Sequence, residues 1–113
     1  MSEHYDPDLK MTFLCENSRG YITLVGNLTT YNSQTLSQDF ENFISQHKLD
    51  EVFIHCESLN YVSSTGVGAL SYIYKTCYKK EIKLYFVGVV PSVMRVFSLL
   101  GITSMFNFID KRI

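Results

Sequence analysis

The chain has 113 residues, a formal net charge of −1, 46% hydrophobic side chains and 19% charged ones. Its length fits one domain with its own core, and its charge excludes the basic footprint of a nucleic-acid or anionic-membrane binder. No apolar run reaches the roughly 18 residues that a membrane-spanning helix needs.

The opening residues MSEHYDPDLK place no apolar segment after a basic one, so they do not read as a signal peptide. They are polar and carry Pro7, and residues 1–10 are expected to form a flexible tail before a single domain over 11–113. Cys15, Cys56 and Cys77 are widely spaced and form no Cys-x-x-Cys pair. That pattern predicts neither a disulfide framework nor a zinc site, and it fits a reducing cytoplasm.

Met11–Glu16 and Tyr21–Val25 are short β-prone runs around the turn cluster Asn17-Ser18-Arg19-Gly20, which predicts a hairpin. From Ser33 the period changes. Leu36, Phe40, Phe43 and Ile44 fall at helical spacing among polar residues, with Asn32 or Ser33 as the cap. In Glu51–Cys56 the run Val52-Phe53-Ile54 reads as a strand buried on both faces, so Phe53 is expected in the core. A second helix runs to about Lys80, with Val67, Leu70, Ile73, Tyr74, Cys77 and Tyr78 on the core side. Ile82–Val90 is again a continuous apolar strand, in which Phe86 is expected in the core. Pro91 then suits the first turn of a third helix. There Val93, Val96, Phe97 and Leu100 share the core face, Ser92, Arg95 and Ser98 point outward, and Met94 falls on the boundary. Met105–Ile109 closes the chain as a short strand. Helices alternating with the later strands predict an α/β sandwich with mostly parallel pairing.

The stretch Tyr61–Leu70, YVSSTGVGAL, carries the functional question. Ser63, Ser64 and Thr65 suit the start of a helix, because a hydroxyl oxygen at the cap accepts an orphan backbone N–H. Gly66 and Gly68 in the first turn cost helix stability. Their presence predicts close approach by a neighbouring backbone or by an anion at the positive helix end. Tyr72 falls on the polar side of the helix, as a contact residue at a protein interface would.

CESLNYVSSTGVGAL resembles the signature region of STAS domains, the group of sulfate transporters and anti-sigma factor antagonists, where Asp-Ser-Ser/Thr-Gly-Leu/Val-Gly opens a helix. GNLTTYNSQTL is similar to the family's Gly-Glu-Leu-Asp loop and first helix. VVPSVMRVFSLLGITSMFNF is similar to its Ser-Pro-x-Val-x-Arg-x-Phe-x-x-x-Gly-Leu region and final strand. The three matches run in order from residue 11 to the C-terminus.

The resemblance implies a STAS-like α/β sandwich, with a mixed, mostly parallel sheet of about five strands and three or four helices. It implies partner switching with an anti-sigma factor that is also a serine kinase, reset by a serine phosphatase. Carried over, the phosphoacceptor is Ser64, with Thr65 and then Ser63 as fallbacks. The partner surface takes in Asn27, Thr29, Ser63, Ser64, Thr65, Gly66 and Gly68, with Tyr72, Ser92 and Met94 beside it. No cofactor or metal is implied, and weak homodimerisation stays open. Ser63 stands where the family has Asp, and Asn27 and Thr29 stand where it has Glu and Asp. A second reading is therefore a STAS scaffold subunit of a signalling complex that is never phosphorylated.

Two other classes are weaker. A hydrolase elbow needs Gly-x-Ser-x-Gly, whereas Val62 and Gly66 flank Ser64. Its base would be His4 in the tail, His47 at a helix end, or His55, expected as a core residue of a central strand. His55-Cys56-Glu57 cannot converge on a metal, because adjacent strand residues face opposite ways. A nucleotide site at Gly66-Val67-Gly68 lacks the lysine and spacing of a P-loop and the third glycine of a dinucleotide fingerprint.

Overall fold

The computed structural model describes residues 6–110, so His4 and the first half of the expected tail lie outside the described residues. The elements follow in the order β1 (Leu9–Glu16), β2 (Arg19–Leu28), α1 (Ser33–Gln46), β3 (Glu51–Val62), α2 (Ser64–Lys79), β4 (Lys83–Val87), α3 (Pro91–Leu99) and β5 (Phe108–Ile109). The first strand starts at Leu9, two residues ahead of the Met11 boundary. The hairpin turns on Asn17 and Ser18, whose positive φ angles of 52° and 67° match the right-handed twist of the flanking strands.

The five strands form one sheet in the order β1-β2-β3-β4-β5. β1 and β2 pair antiparallel, and the other three pairings are parallel. Strands added in sequence by right-handed crossovers carry their helices to the same side. The molecule is therefore a two-layer α/β fold, with α1, α2 and α3 over one sheet face.

Burial follows from that arrangement and corrects the expected double burial of β3. Val52, Ile54 and Cys56 point under the helices and are fully buried. Phe53, His55 and Glu57 alternate onto the uncovered face and are only partly buried. There Phe53 stacks between Tyr21 and Tyr85, at ring-centroid distances of 5.6 and 5.1 Å. His55 is thus no core residue: its Nδ1 lies 3.6 Å from a Glu57 carboxylate oxygen.

Between the layers, Leu36, Phe40, Phe43 and Ile44 of α1 are buried as their spacing predicts. α2 contributes Val67, Leu70, Ile73 and Cys77, but Tyr78 is exposed and Tyr74 only partly covered, because the helix outruns the sheet. In α3, Val93 and Phe97 are buried. Leu100 is not a core residue: it caps the helix end and is exposed. The strand expected at Met105–Ile109 shortens to Phe108–Ile109, while Phe106 leaves the turn before it to stack on Phe86 at 4.4 Å. The strand expected over Ile82–Val90 is likewise only Lys83–Val87.

Candidate functional site

β3 continues to Val62, six residues past the predicted Cys56, so its C-terminal end stands beside the end of β2. Val62 pairs with Leu28, and the next amide, Ser63 N–H, donates to Leu28 O at 2.9 Å. Two loops, Thr29–Asn32 and Ser63 with the first turn of α2, therefore sit side by side.

Ser63 is the N-cap of α2, with extended φ and ψ of −78° and 167°. Its hydroxyl oxygen accepts the Gly66 N–H at 2.9 Å, and its carbonyl accepts Val67 N–H at 2.9 Å. The cap role that suits Asp is thus filled by a neutral hydroxyl. Ser64 and Thr65 follow as the first two helical residues, and both are exposed. Their backbone N–H groups are the two of the first turn that Ser63 leaves without an acceptor in the helix.

The glycines differ in what they permit. A Cβ on Gly66 would lie 2.9 Å from Leu28 Cγ and 3.1 Å from Leu28 O, so the helix start can approach β2 only without a side chain. Gly68 has no neighbour within 4 Å of such a Cβ, and it faces open space. Close approach by protein thus explains Gly66 and not Gly68.

The neighbouring loop is tied by neutral side chains. Thr29 N–H donates to Asn32 Oδ1 at 2.8 Å, and Asn32 N–H returns to Thr29 Oγ1 at 3.3 Å, a reciprocal box. Asn32 Nδ2 donates to Asn27 O at 3.1 Å, and the Ser33 hydroxyl donates to Thr29 O. Asn32 and Ser33 are both 3% exposed, and these bonds satisfy them. The side-chain cap expected from Asn32 or Ser33 is absent; Asn32 braces the turn before α1 instead. Thr30 Oγ1 lies 3.4 Å from Thr65 Oγ1 and joins the two loops.

The remaining predicted residues spread outward. Tyr72, two turns along α2, is partly exposed, but its phenol donates to a Glu41 carboxylate on α1, which raises its pKa above the ordinary value. Ser92 is exposed at the start of α3, at the same end of the sheet. Met94 is partly buried against the core.

Sequence reasoning missed Tyr31, 92% exposed on the first loop, and Tyr61, 52% exposed just before the second. An aromatic residue inside a polar turn cluster was the available signal for Tyr31. Neither stretch, 27–33 nor 58–68, contains a charged side chain. What the arrangement offers is a neutral surface of hydroxyls, amides and two exposed phenols around one free-standing serine at a helix start.

Among the described residues, no cluster of His, Cys, Asp and Glu could hold a metal ion, and no helix is long and apolar enough to cross a membrane.

The fold is similar to that of an anti-sigma factor antagonist from Mycobacterium paratuberculosis, with a TM-score of 0.79 at 16% identity, over 91% of this chain and 87% of that one. It is similar to the anti-sigma factor antagonist SpoIIAA in its unphosphorylated form, with a TM-score of 0.76 at 18% identity, over 90% and 86% of the two chains. The Bacillus cell fate determinant SpoIIAA in its phosphorylated form matches with a TM-score of 0.70 at 17% identity, over 90% and 89%. The family model described as the STAS domain matches residues 15–112, which takes in strands β2 to β5 and all three helices but only the last two residues of β1. The chain belongs to the STAS domain family.

Proposed function

We propose that the chain is a regulatory binding module of the anti-sigma factor antagonist kind, switched between partners by phosphorylation of Ser64. The observation that carries this reading is the exposed Ser64 hydroxyl at the first position of α2, within two loops that hold no charge. A phosphate there adds about −1.5 to −2 charge. The positive helix end and the free amides of Ser64 and Thr65 accommodate it within the fold. A partner surface fitted to a neutral hydroxyl must instead desolvate that charge. Ser63 ranks below Ser64 and Thr65 as an acceptor, because its hydroxyl is partly buried and engaged in the cap.

The partners in this reading are an anti-sigma factor with serine kinase activity and a serine phosphatase, met in the cytoplasm. The likeness to SpoIIAA, which has unphosphorylated and phosphorylated forms, supports it. Binding rather than catalysis fits a serine to which no histidine among the described residues is bonded: His47 ends α1 and His55 lies on the open sheet face. The test is incubation with the co-encoded kinase and ATP, followed by mapping of phosphate by mass spectrometry. Phosphate on Ser64 supports the switch, and none on residues 63–65 overturns it.

A second reading has its own observation. Thr29 and Ser63 stand where the family has acidic residues, and their neutral hydroxyls accept backbone N–H groups inside the protein; Asn27 is a third neutral replacement. Under that reading the same surface docks permanently, as a scaffold subunit, and the mass spectrum stays unmodified while the partner remains bound.

A further inference from the structure

We propose that the chain associates with a second copy of itself through the free edge of β1, paired antiparallel in a register centred on Phe13. The inference rests on β1 alone and is independent of any phosphorylation of Ser64.

Among the described residues, β1 is an outer strand of the sheet and is eight residues long, whereas β5, the other outer strand, has two. Long edges are normally blunted by central charges, proline or bulges. β1 has none of these: it pairs with β2 without a register shift, and its five central residues, Met11–Cys15, are uncharged. Leu14 is 63% exposed on the open sheet face, in line with Tyr21, Phe53 and Tyr85 of the adjoining strands.

The backbone sets which residues can pair outward. Glu16 and Arg19 close a two-residue turn, so they exchange hydrogen bonds, and along an antiparallel ladder such pairs alternate. Lys10, Thr12, Leu14 and Glu16 therefore turn their N–H and C=O groups toward β2. Met11, Phe13 and Cys15 turn theirs to the outer edge, as Leu9 does its C=O, the Leu9 N–H being held by Asp6 O at 3.3 Å. Two-fold pairing must set odd residues opposite odd ones.

Among the registers that satisfy this, centring on Phe13 sets Lys10 opposite Glu16 of the second copy, twice, by symmetry. These are the only two charged residues of the strand, and the pairs fall at its two ends. They occupy non-hydrogen-bonded positions, where side chains stand closest. In the same register Met11 meets Cys15, and Leu14 gains cover from Thr12 of the second copy. A shift by two residues in either direction keeps the backbone bonds and loses both charge pairs.

The test reads oligomeric state and register on the full chain. Sedimentation over a range of concentrations is expected to show a reversible dimer. Lys10→Glu sets four acidic side chains into two repulsive pairs and is expected to raise the dimer dissociation constant about tenfold. Adding Glu16→Lys restores opposite pairs and the wild-type constant. Both positions are exposed, so folding is retained, as circular dichroism will confirm.

Met11→Cys reports the register: mild oxidation is expected to link position 11 of one copy to Cys15 of the other. Wild-type chains are not linked, since their Cys15 residues stand roughly four strand positions apart, about 13 Å. A monomer at all concentrations overturns the proposal. So does a dimer indifferent to Lys10→Glu, or one in which Met11→Cys remains folded and unlinked.

Discussion

The Ser63 hydroxyl oxygen lies 2.9 Å from the Gly66 backbone nitrogen, so the helix that presents Ser64 is capped by the residue just before it. The cap fixes the first turn, and with it the direction in which the Ser64 side chain leaves the surface.

Ser63→Ala removes that acceptor and is expected to cost about 1 kcal/mol, read as a lower denaturant midpoint with an unchanged slope. Ser63→Asp keeps an acceptor and adds a negative charge at the positive helix end. Its stability is expected to equal or exceed that of the wild type. A loss in Ser63→Asp as large as in Ser63→Ala would mean that the cap is not what Ser63 contributes.

The two glycines near the start of α2 are expected to respond with opposite signs. Gly66→Ala drives a Cβ to 3.1 Å from the carbonyl oxygen of Leu28, which belongs to a paired strand and cannot move away. It is expected to destabilise the fold by more than about 1 kcal/mol. Gly68→Ala meets no atom within 4 Å and gains helix propensity, so it is expected to stabilise by up to about 1 kcal/mol. Thermal melts of the two variants decide the matter; equal shifts would refute the packing difference.

Phe86 and Phe53 look alike in sequence, each within an apolar strand, and differ in the fold. Phe86 is fully buried among Phe97, Phe106 and Phe108, so Phe86→Ala is expected to cost about 3–5 kcal/mol. Phe53 loses only its stacking and part of its apolar cover on the open face, so Phe53→Ala is expected to cost about 1–2 kcal/mol. Urea unfolding separates the two.

Those phenylalanines mark the limit of what periodicity reveals. The faces of α1 and the buried residues of α2 were legible, because a helix against a sheet imposes a 3.6-residue rhythm that polar residues interrupt. Strand β3 was misread at both levels. Val52-Phe53-Ile54 is continuous in hydrophobicity, yet Phe53 lies on the open face, kept apolar by the rings of Tyr21 and Tyr85 rather than by helices. The residues from Glu57 to Asn60, mostly polar but with Leu59 buried, extend the strand past its predicted end, because one additional β3 residue between His55 and Ser58 and another between Leu59 and Tyr61 keep the pairing with β2 in step to Val62. The hydroxyl cluster at Ser63–Thr65 was legible as a helix start. The placement of the Thr29–Asn32 loop beside it, joined by Thr30 and Thr65, was not, since it depends on two segments 35 residues apart in sequence meeting in space.

Thiol chemistry follows from the same layers. Burial pushes the Cys56 thiol up to about 12, with a smaller contribution from the Glu57 carboxylate, and burial alone takes Cys77 to about 12. Both remain protonated and unreactive near neutral pH, so an aromatic disulfide reagent at pH 8 is expected to modify only the partly exposed Cys15 rapidly. The sign for stability follows: raised thiol pKa values favour the native state below the unfolded value of about 8.5. That contribution is lost as pH climbs from there toward 12. Rapid modification of more than one thiol in the folded chain would contradict the burial of Cys56 and Cys77.

The final prediction concerns Ser64 itself. Ser64→Asp places a carboxylate at the first position of α2, where the helix dipole favours negative charge by about 0.3–1 kcal/mol. No acidic side chain in residues 58–68 or 27–33 opposes it. The variant is expected to fold with a melting temperature at or slightly above the wild-type value. Under the proposed switch, Ser64→Ala keeps the neutral surface and loses the proposed acceptor, so it is expected to bind the proposed kinase partner as the wild type does and to take no phosphate at position 64. Ser64→Asp is expected to weaken that binding by at least about tenfold, equivalent to about 1.4 kcal/mol, because the partner must desolvate a charge where it fitted a hydroxyl. Raising the salt concentration should change wild-type binding little, since neither loop supplies a charge to be screened. Isothermal titration of the three proteins against the partner reads all of this at once. Equal affinities for Ser64→Asp and wild type would show that the hydroxyl does not lie in the interface, and would leave a constitutive docking surface in place of a switch.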